Sequence, residues 1–183
     1  MPKYLPTVAL LTAFALTNCQ PQASSAPPAG PLAANDFENL DGWLPDSPTG
    51  VALSRDQAHS GKFSTKVDGA HEYSLGYNNT LSTLAPEWPG KLTVSAWVLL
   101  LDEQNAPKLV TEVKSAGNNS PGQLWAGLDL GQTAKVKNKW YHVEQTITLP
   151  ETAKPTSRLL VYMWRADSKQ PAYLDDVQIS LAK

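Results

Sequence analysis

Ala172-Tyr173-Leu174-Asp175-Asp176-Val177-Gln178-Ile179-Ser180-Leu181 is the stretch that decides the fold. Tyr173, Asp175, Val177, Ile179 and Leu181 share one side of a period-two pattern, which predicts a β-strand. Two adjacent acids, Asp175 and Asp176, sit inside that pattern. A carboxylate beside a core strand is costly unless it is paired, hydrogen-bonded or bound to a metal. Some other part of the chain must therefore answer it. Two segments qualify: Asp36-Phe37-Glu38 and the turn His59-Ser60-Gly61-Lys62.

Outward from this strand, short apolar segments alternate with clusters of Gly, Pro, Asn and Ser, and no segment carries a helical period. Strands are predicted at Val51–Ser54, Phe63–Val67, Tyr73–Tyr77, Leu92–Leu101, Lys108–Lys114, Gln123–Asp129, His142–Thr148, Arg158–Trp164 and Tyr173–Leu181. Turns are expected at Asp56–Gly61, Glu87–Gly90, Ala116–Gly122 and Ala166–Pro171. Strands with no helix between them imply an all-β, antiparallel β-sandwich. The 183 residues suffice for one such domain with its own core, placed at 35–183.

The pleat then sorts the side chains. Leu92, Val94, Ala96, Val98 and Leu100 form one face of their strand, with Trp97 on the other. Leu159, Val161 and Met163 oppose Leu160, Tyr162 and Trp164; Leu124, Ala126 and Leu128 oppose Trp125, Gly127 and Asp129. The aliphatic faces should meet between two sheets. The remaining face collects Trp97, Glu112, Trp125, Asp129, Tyr162 and Trp164. Rings and carboxylates mixed on the solvent side of a sheet suit sugars, whose C–H faces pack on aromatic rings and whose hydroxyls take acids and amides. These six are the candidate ligand-binding residues. Tyr73, Tyr77 and Trp88 offer an alternative site at the sandwich edge. Trp43 and Trp140 are assigned to packing, and a loop covering any outward tryptophan is the competing explanation for each.

An Asp-Phe-Glu near the start, a Trp soon after, a His-Ser-Gly-Lys turn before a strand and a closing Leu-Asp-Asp-Val together resemble carbohydrate-binding modules. The group is the galactose-binding-domain-like jelly rolls that include families 4, 9 and 22. The resemblance runs from about Asn35 to Leu181. It implies a jelly-roll sandwich, a polysaccharide or oligosaccharide ligand and a structural calcium ion. Glu38 matches the motif glutamate and Asp175 the closing aspartate, with Asp176 as the fallback. Asp36, Glu38 and Asp175, with backbone oxygens of the turn through Lys62, would make an oxygen-only site suited to Ca²⁺. An ion pair with Lys62 or Arg55 is the metal-free alternative.

The first 18 residues read as a signal peptide, with Lys3 ahead of the apolar run Val8–Leu16. Leu16-Thr17-Asn18-Cys19 resembles a bacterial lipobox, and Cys19, the sole cysteine, stands where lipidation requires it. Asn18 departs from the small residue expected before the cysteine. Residues 19–34 have no charge and are rich in Pro and Ala, which predicts an extended tether of roughly 40 Å at about 3 Å per residue. The expected location is the cell envelope, at the outer membrane, with membrane attachment through the lipid alone.

A net charge of −2 with no basic run argues against nucleic acid. One cysteine excludes an internal disulfide. No Gly-x-Ser-x-Gly, phosphate-cradling Gly loop or His-Glu-x-x-His is present, and His59, His71 and His142 are scattered. Asn78-Asn79-Thr80 and Asn118-Asn119-Ser120 read as turns. The expectation is a non-catalytic polysaccharide-binding lipoprotein. The alternatives are a protein-interaction or structural domain using the same face and, more remotely, a jelly-roll lyase or hydrolase.

Overall fold

The computed structural model describes residues 1, 30–40, 43, 52–117 and 121–182. The predicted signal peptide, Cys19 and most of the predicted tether lie outside them. Among the described residues, ten strands form two antiparallel sheets. One sheet runs β2 (Leu53–Ser54), β3 (Ser64–Val67), β10 (Ala172–Leu181), β5 (Lys91–Leu100) and β8 (Trp140–Thr148), with β1 (Ala33–Asn35) also paired to β10. The other runs β4 (Tyr77–Thr80), β9 (Arg158–Trp164), β6 (Lys108–Lys114) and β7 (Gly122–Asp129). The predicted β-sandwich is borne out.

The aliphatic faces meet as expected. Leu92, Val94, Ala96, Val98 and Leu100 of β5 are fully buried against Leu109 and Val113 of β6 and Leu159, Val161 and Met163 of β9 in one core. Each such side chain contributes roughly 1.5–3 kcal/mol through its removal from water.

Four local expectations change. The end of the segment assigned to the tether already enters the sheet: Ala33 pairs with Ile179 and Ala34 with Gln178. Three small residues carry too little pattern to predict a strand. The strand expected at Tyr73–Tyr77 forms instead at Tyr77–Thr80, and Tyr73 makes only an isolated bridge to Trp164. The Ser74 hydroxyl accepts from the Met163 N–H there, and the Leu75 N–H goes to the Thr65 hydroxyl, so side-chain bonds interrupt the backbone ladder that Ser74 N–H to Met163 and Arg165 N–H to Glu72 begin. Two one-turn helices, α1 (Leu81–Leu84) and α2 (Leu130–Thr133), were not expected; four residues are too few to display a helical period. Thr80 and Asp129 cap them.

The fourth change concerns β10. It pairs Asp175 with Trp97 but Gln178 with Ser95, so β10 spends one more residue than β5 there. This is a β-bulge, and Asp176 sits at its kink with φ +47°. The extra residue reverses the alternation. Tyr173, Asp175 and Gln178 lie on the outer face, whereas Leu174, Val177 and Ile179 are buried inside. Tyr173 and Asp175 therefore do not share the face of Val177 and Ile179, as the simple period-two pattern predicted. The bulge falls between the parts of β10 that pair with β3 and with β1. The His59–Lys62 turn fills that gap.

Candidate functional site

The register of the four-stranded sheet sets out its outer face in rows across the strands. Asn78, Leu160, Glu112 and Trp125 form one row. Tyr162, Val110 and Gly127 form the next, and Trp164, Lys108 and Asp129 the one after, with Tyr73 bridged to Trp164 at its end. Alternate residues of β6, β7 and β9 point this way because their partners fill the core. Trp125 is 52% exposed and Tyr73 is 57% exposed.

Each ring on this face is held. Trp125 and Trp164 meet edge to face, centroids 6.4 Å apart at 79°. The Trp164 indole N–H donates to Glu72 Oε1 at 2.8 Å, and Arg165 Nε donates to Glu72 Oε2 at 3.0 Å. Those two bonds, the one from Trp164 first, hold the Glu72 carboxyl below its ordinary value. Tyr73 and Tyr162 also meet edge to face at 5.6 Å. The Tyr162 hydroxyl faces Glu112 Oε2 at 3.4 Å, and Lys114 Nζ lies 3.2 Å from Glu112 Oε1. Burial, then the neighbouring Glu112 charge, pushes the Tyr162 phenol up to about 12, so it stays a hydroxyl donor at any physiological pH.

Beside these rings a cleft of about 620 Å³ opens along the β4 edge. Tyr73, Tyr162, Glu112, Lys114 and Asn78 line it, and Leu160 forms part of its floor. Rings on the sheet and hydrogen-bonding groups in an adjoining cleft are the two components a small polar ligand with apolar faces requires.

Of the six predicted ligand residues, the structure brings together Glu112, Trp125, Tyr162 and Trp164. Asp129 lies on the same face at its rim, but its carboxylate is engaged: Oδ1 accepts from the Gln132 N–H at 3.0 Å, and Lys108 is 3.6 Å away. Trp97 does not belong with them. It stands on β5, on the outer face of the other sheet, across the sandwich. There His59 stacks on it at 4.0 Å and 13°, and His142 meets it edge-on at 5.4 Å. Alternation along a strand reports inward or outward; it does not report which sheet the strand joins. Of the predicted edge site, Tyr73 and the largely buried Tyr77 line the cleft, and Trp88 is exposed but does not line it. Trp43 packs against Phe37 and Tyr77, as assigned.

Sequence reasoning missed Glu72, Lys114 and Asn78. Lys114 was legible as the next outward residue after Glu112. Glu72 was not, because its role depends on the fold of Asp68–Tyr73 against β9.

The acid site is a hydrogen-bonded junction around Asp175. Asp175 is fully buried; its Oδ2 accepts from the His59 and Ser60 N–H groups at 2.7 and 3.2 Å, and its Oδ1 from the Asp176 N–H at 2.8 Å. Burial pushes its carboxyl up, against the pull of these bonds. Asp176 takes the His59 imidazole at 2.5 Å and the Ser60 hydroxyl at 2.8 Å. Glu38 Oε1 accepts from the Lys62 and Phe63 N–H groups at 2.6 and 2.7 Å, and Asp36 from the Glu38 N–H. The turn presents N–H donors to the acids where a cation would require oxygens. Among the described residues, no three acidic, His or Cys side chains are grouped to hold a metal. Asp36, Glu38, Lys62 and Asp175 thus take part in a hydrogen-bonded tie between the N-terminal segment, the turn and β10. Gly61 completes it: φ is +57°, and a Cβ there would run into the Glu38 carboxylate.

No protein-family model and no curated protein sequence matches the chain. Solved structures do. The CBM22-1 xylan-binding domain of Xyn10C from Paenibacillus barcinonensis is 23% identical over 87% of this chain and 99% of its own, with a TM-score of 0.56. The C-terminal family 22 carbohydrate-binding module of Xyn10B from Clostridium thermocellum is 17% identical over 85% of this chain and 97% of its own, with a TM-score of 0.54. A family 16 carbohydrate-binding module is 15% identical over 79% and 94%, with a TM-score of 0.52. At these identities the likeness is one of fold: the chain has the two-sheet β-sandwich architecture of carbohydrate-binding modules.

Proposed function

We propose that the outer face of the four-stranded sheet binds polysaccharide without catalysis. One observation carries this reading: an exposed indole, Trp125, lies beside a second, Trp164, and both adjoin a cleft lined by Tyr73, Asn78 and Glu112. Apolar sugar faces stack on the rings, and hydroxyls are taken by the Glu112 carboxylate, the Tyr162 hydroxyl and the Asn78 amide. Acids and bases at the cleft oppose one another, Glu112 with Lys114 and Glu72 with Arg165, which suits a neutral glycan better than a charged one. The neighbours named for xylan binding make soluble xylan the first probe.

The test is calorimetric titration of soluble xylan, a mixed-linkage β-glucan and a mannan into wild type and the Trp125→Ala/Trp164→Ala variant. Binding that disappears in a variant with an unchanged melting temperature supports the reading. Binding that persists places the site elsewhere. A folded protein that binds none of a broad glycan panel sinks the reading.

The lipobox-like Leu16–Cys19 adds an anchor to this reading, with the domain held at the outer membrane by lipid on Cys19. Metabolic labelling with a palmitate analogue tests it: label incorporated by wild type and lost in Cys19→Ser supports an anchor, and an unlabelled wild type rejects it.

A further inference from the structure

We infer that Gly127 is a positioning residue: it seats the Trp125 ring flat on the sheet and so creates the platform on which a sugar stacks. The inference rests on the glycan reading above. A Cβ at Gly127 would stand 2.5 Å from Trp125 Cη2, 3.0 Å from Cζ3 and 3.2 Å from Cζ2. All three atoms belong to the six-membered part of the indole, so that ring lies directly over the glycine.

Val110 supplies independent support. It is the register partner of Gly127 on one side and of Tyr162 on the other, and it points outward. It is nevertheless fully buried, on a face where Trp125 is half exposed. Something must roof Val110, and the Trp125 ring over the neighbouring glycine is placed to do so, with Tyr162 on the other side. One surface of the indole is thus spent on the sheet and the other is presented to solvent. Trp164, held by Glu72, stands nearly perpendicular at its edge as a wall.

Gly127 lies in a regular strand, and its conformation does not need glycine. What an added methyl meets is the far end of a flexible side chain. Gly127→Ala therefore leaves the backbone in place and displaces the ring. A flat stacking partner tilted off its seat loses most of its contact with a sugar, worth about tenfold in affinity for one aromatic contact.

The experiment reads ring geometry and binding separately. Two indoles at this distance and angle couple excitonically, so wild type shows a circular-dichroism couplet that Trp125→Ala and Trp164→Ala each remove. The expected result is that Gly127→Ala also collapses the couplet, leaves the melting temperature near wild type and weakens soluble xylan binding about tenfold. In a Trp125→Ala background the same substitution changes affinity no further, because no ring remains to displace. A couplet that survives Gly127→Ala overturns the inference, as does an equal loss of affinity in the Trp125→Ala background. If folded wild type binds none of a broad glycan panel, the glycan reading fails and the platform role falls with it, whatever the couplet shows about the ring; if it binds a glycan other than xylan, that glycan replaces xylan as the probe.

Discussion

The two sheets present outer faces of similar composition that have met different fates. On the six-stranded sheet, Trp97, His59, His142 and Asp176 contact one another, and the His59–Lys62 turn lies across the bulge of β10. On the four-stranded sheet, Trp125, Trp164, Tyr73 and Tyr162 also contact one another, yet Trp125 and Tyr73 remain more than half exposed. The difference is a single turn. Where a loop crosses the sheet, rings and acids serve to fasten it. Where none of the described residues does, the same chemistry is left facing solvent. Substitutions on the first face should therefore cost stability and spare binding, and those on the second should do the reverse.

The largest expected effect is on the covered face. Asp175→Ala strips the acceptor from the N–H groups of His59, Ser60 and Asp176 at a fully buried position. The expected loss is about 3 kcal/mol, set by backbone donors left unsatisfied away from water. Urea unfolding measures it, and the fraction that remains folded should bind xylan as wild type does. The same experiment with chelator and with added calcium bears on the tie itself. Because N–H groups occupy the acids, neither condition should move the wild-type midpoint, and a clear drop on chelation would restore the calcium expectation.

A smaller effect belongs to the turn that leads from one face to the other. Asp68 Oδ1 accepts from the N–H groups of Ala70 and His71, both at 2.9 Å, with His71 Nδ1 at 2.8 Å and Lys66 Nζ 3.3 Å from Oδ2. Burial alone would raise this carboxyl, but the bonds from His71, Ala70 and Lys66 together outweigh it and bring it to about 2, below the 3.8 of a free aspartate. A folded-state value below the unfolded one means that stability is present above pH 3.8 and is lost as pH falls through about 2. The contribution is about 2 kcal/mol at neutral pH. Asp68→Asn should be less stable by that amount at pH 7, with the gap to wild type closing below pH 3.8 and gone near pH 2. Parallel profiles for the two proteins across that window would refute the assignment.

How much of this contrast was visible beforehand follows from what period-two alternation encodes. β6 and β9 appear at their predicted bounds because Leu109, Thr111 and Val113 and Leu159, Val161 and Met163 alternate cleanly with outward residues. The need for something to answer Asp175 was equally legible, and the His-Ser-Gly-Lys turn does answer it, through its backbone N–H groups. The phase reversal at Asp176 was not legible. It requires one residue at positive φ, and nothing in alternation distinguishes a tolerated aspartate from an ordinary strand position. Trp97 and Trp125 look alike in sequence because each faces outward from its own strand. Only long-range pairing, β5 with β10 and β7 with β6, sends them to opposite sides of the molecule. Gly127 was visible as an outward glycine two residues after Trp125, but its importance depends on the direction in which the indole folds.

The smallest predicted effect tests whether the open face is held as deliberately as the covered one. Glu72 is exposed, so its two bonds add little to folding, but they fix Trp164 in one rotamer. Glu72→Ala frees that ring without removing it. Holding one side chain ready for a ligand is worth about threefold in affinity, and xylan binding should fall by that factor while the unfolding midpoint stays put. The bonds from Trp164 and Arg165 hold the Glu72 carboxyl below its ordinary value, so Trp164 should keep its charged partner to a lower pH than an unpaired glutamate would allow. If Glu72→Ala binds as tightly as wild type, Trp164 needs no outside support and the open face is preorganised by ring packing alone. If the variant instead unfolds at markedly lower urea, Glu72 belongs with Asp175 as a fastening group, and the division between a stabilising face and a binding face fails at that residue.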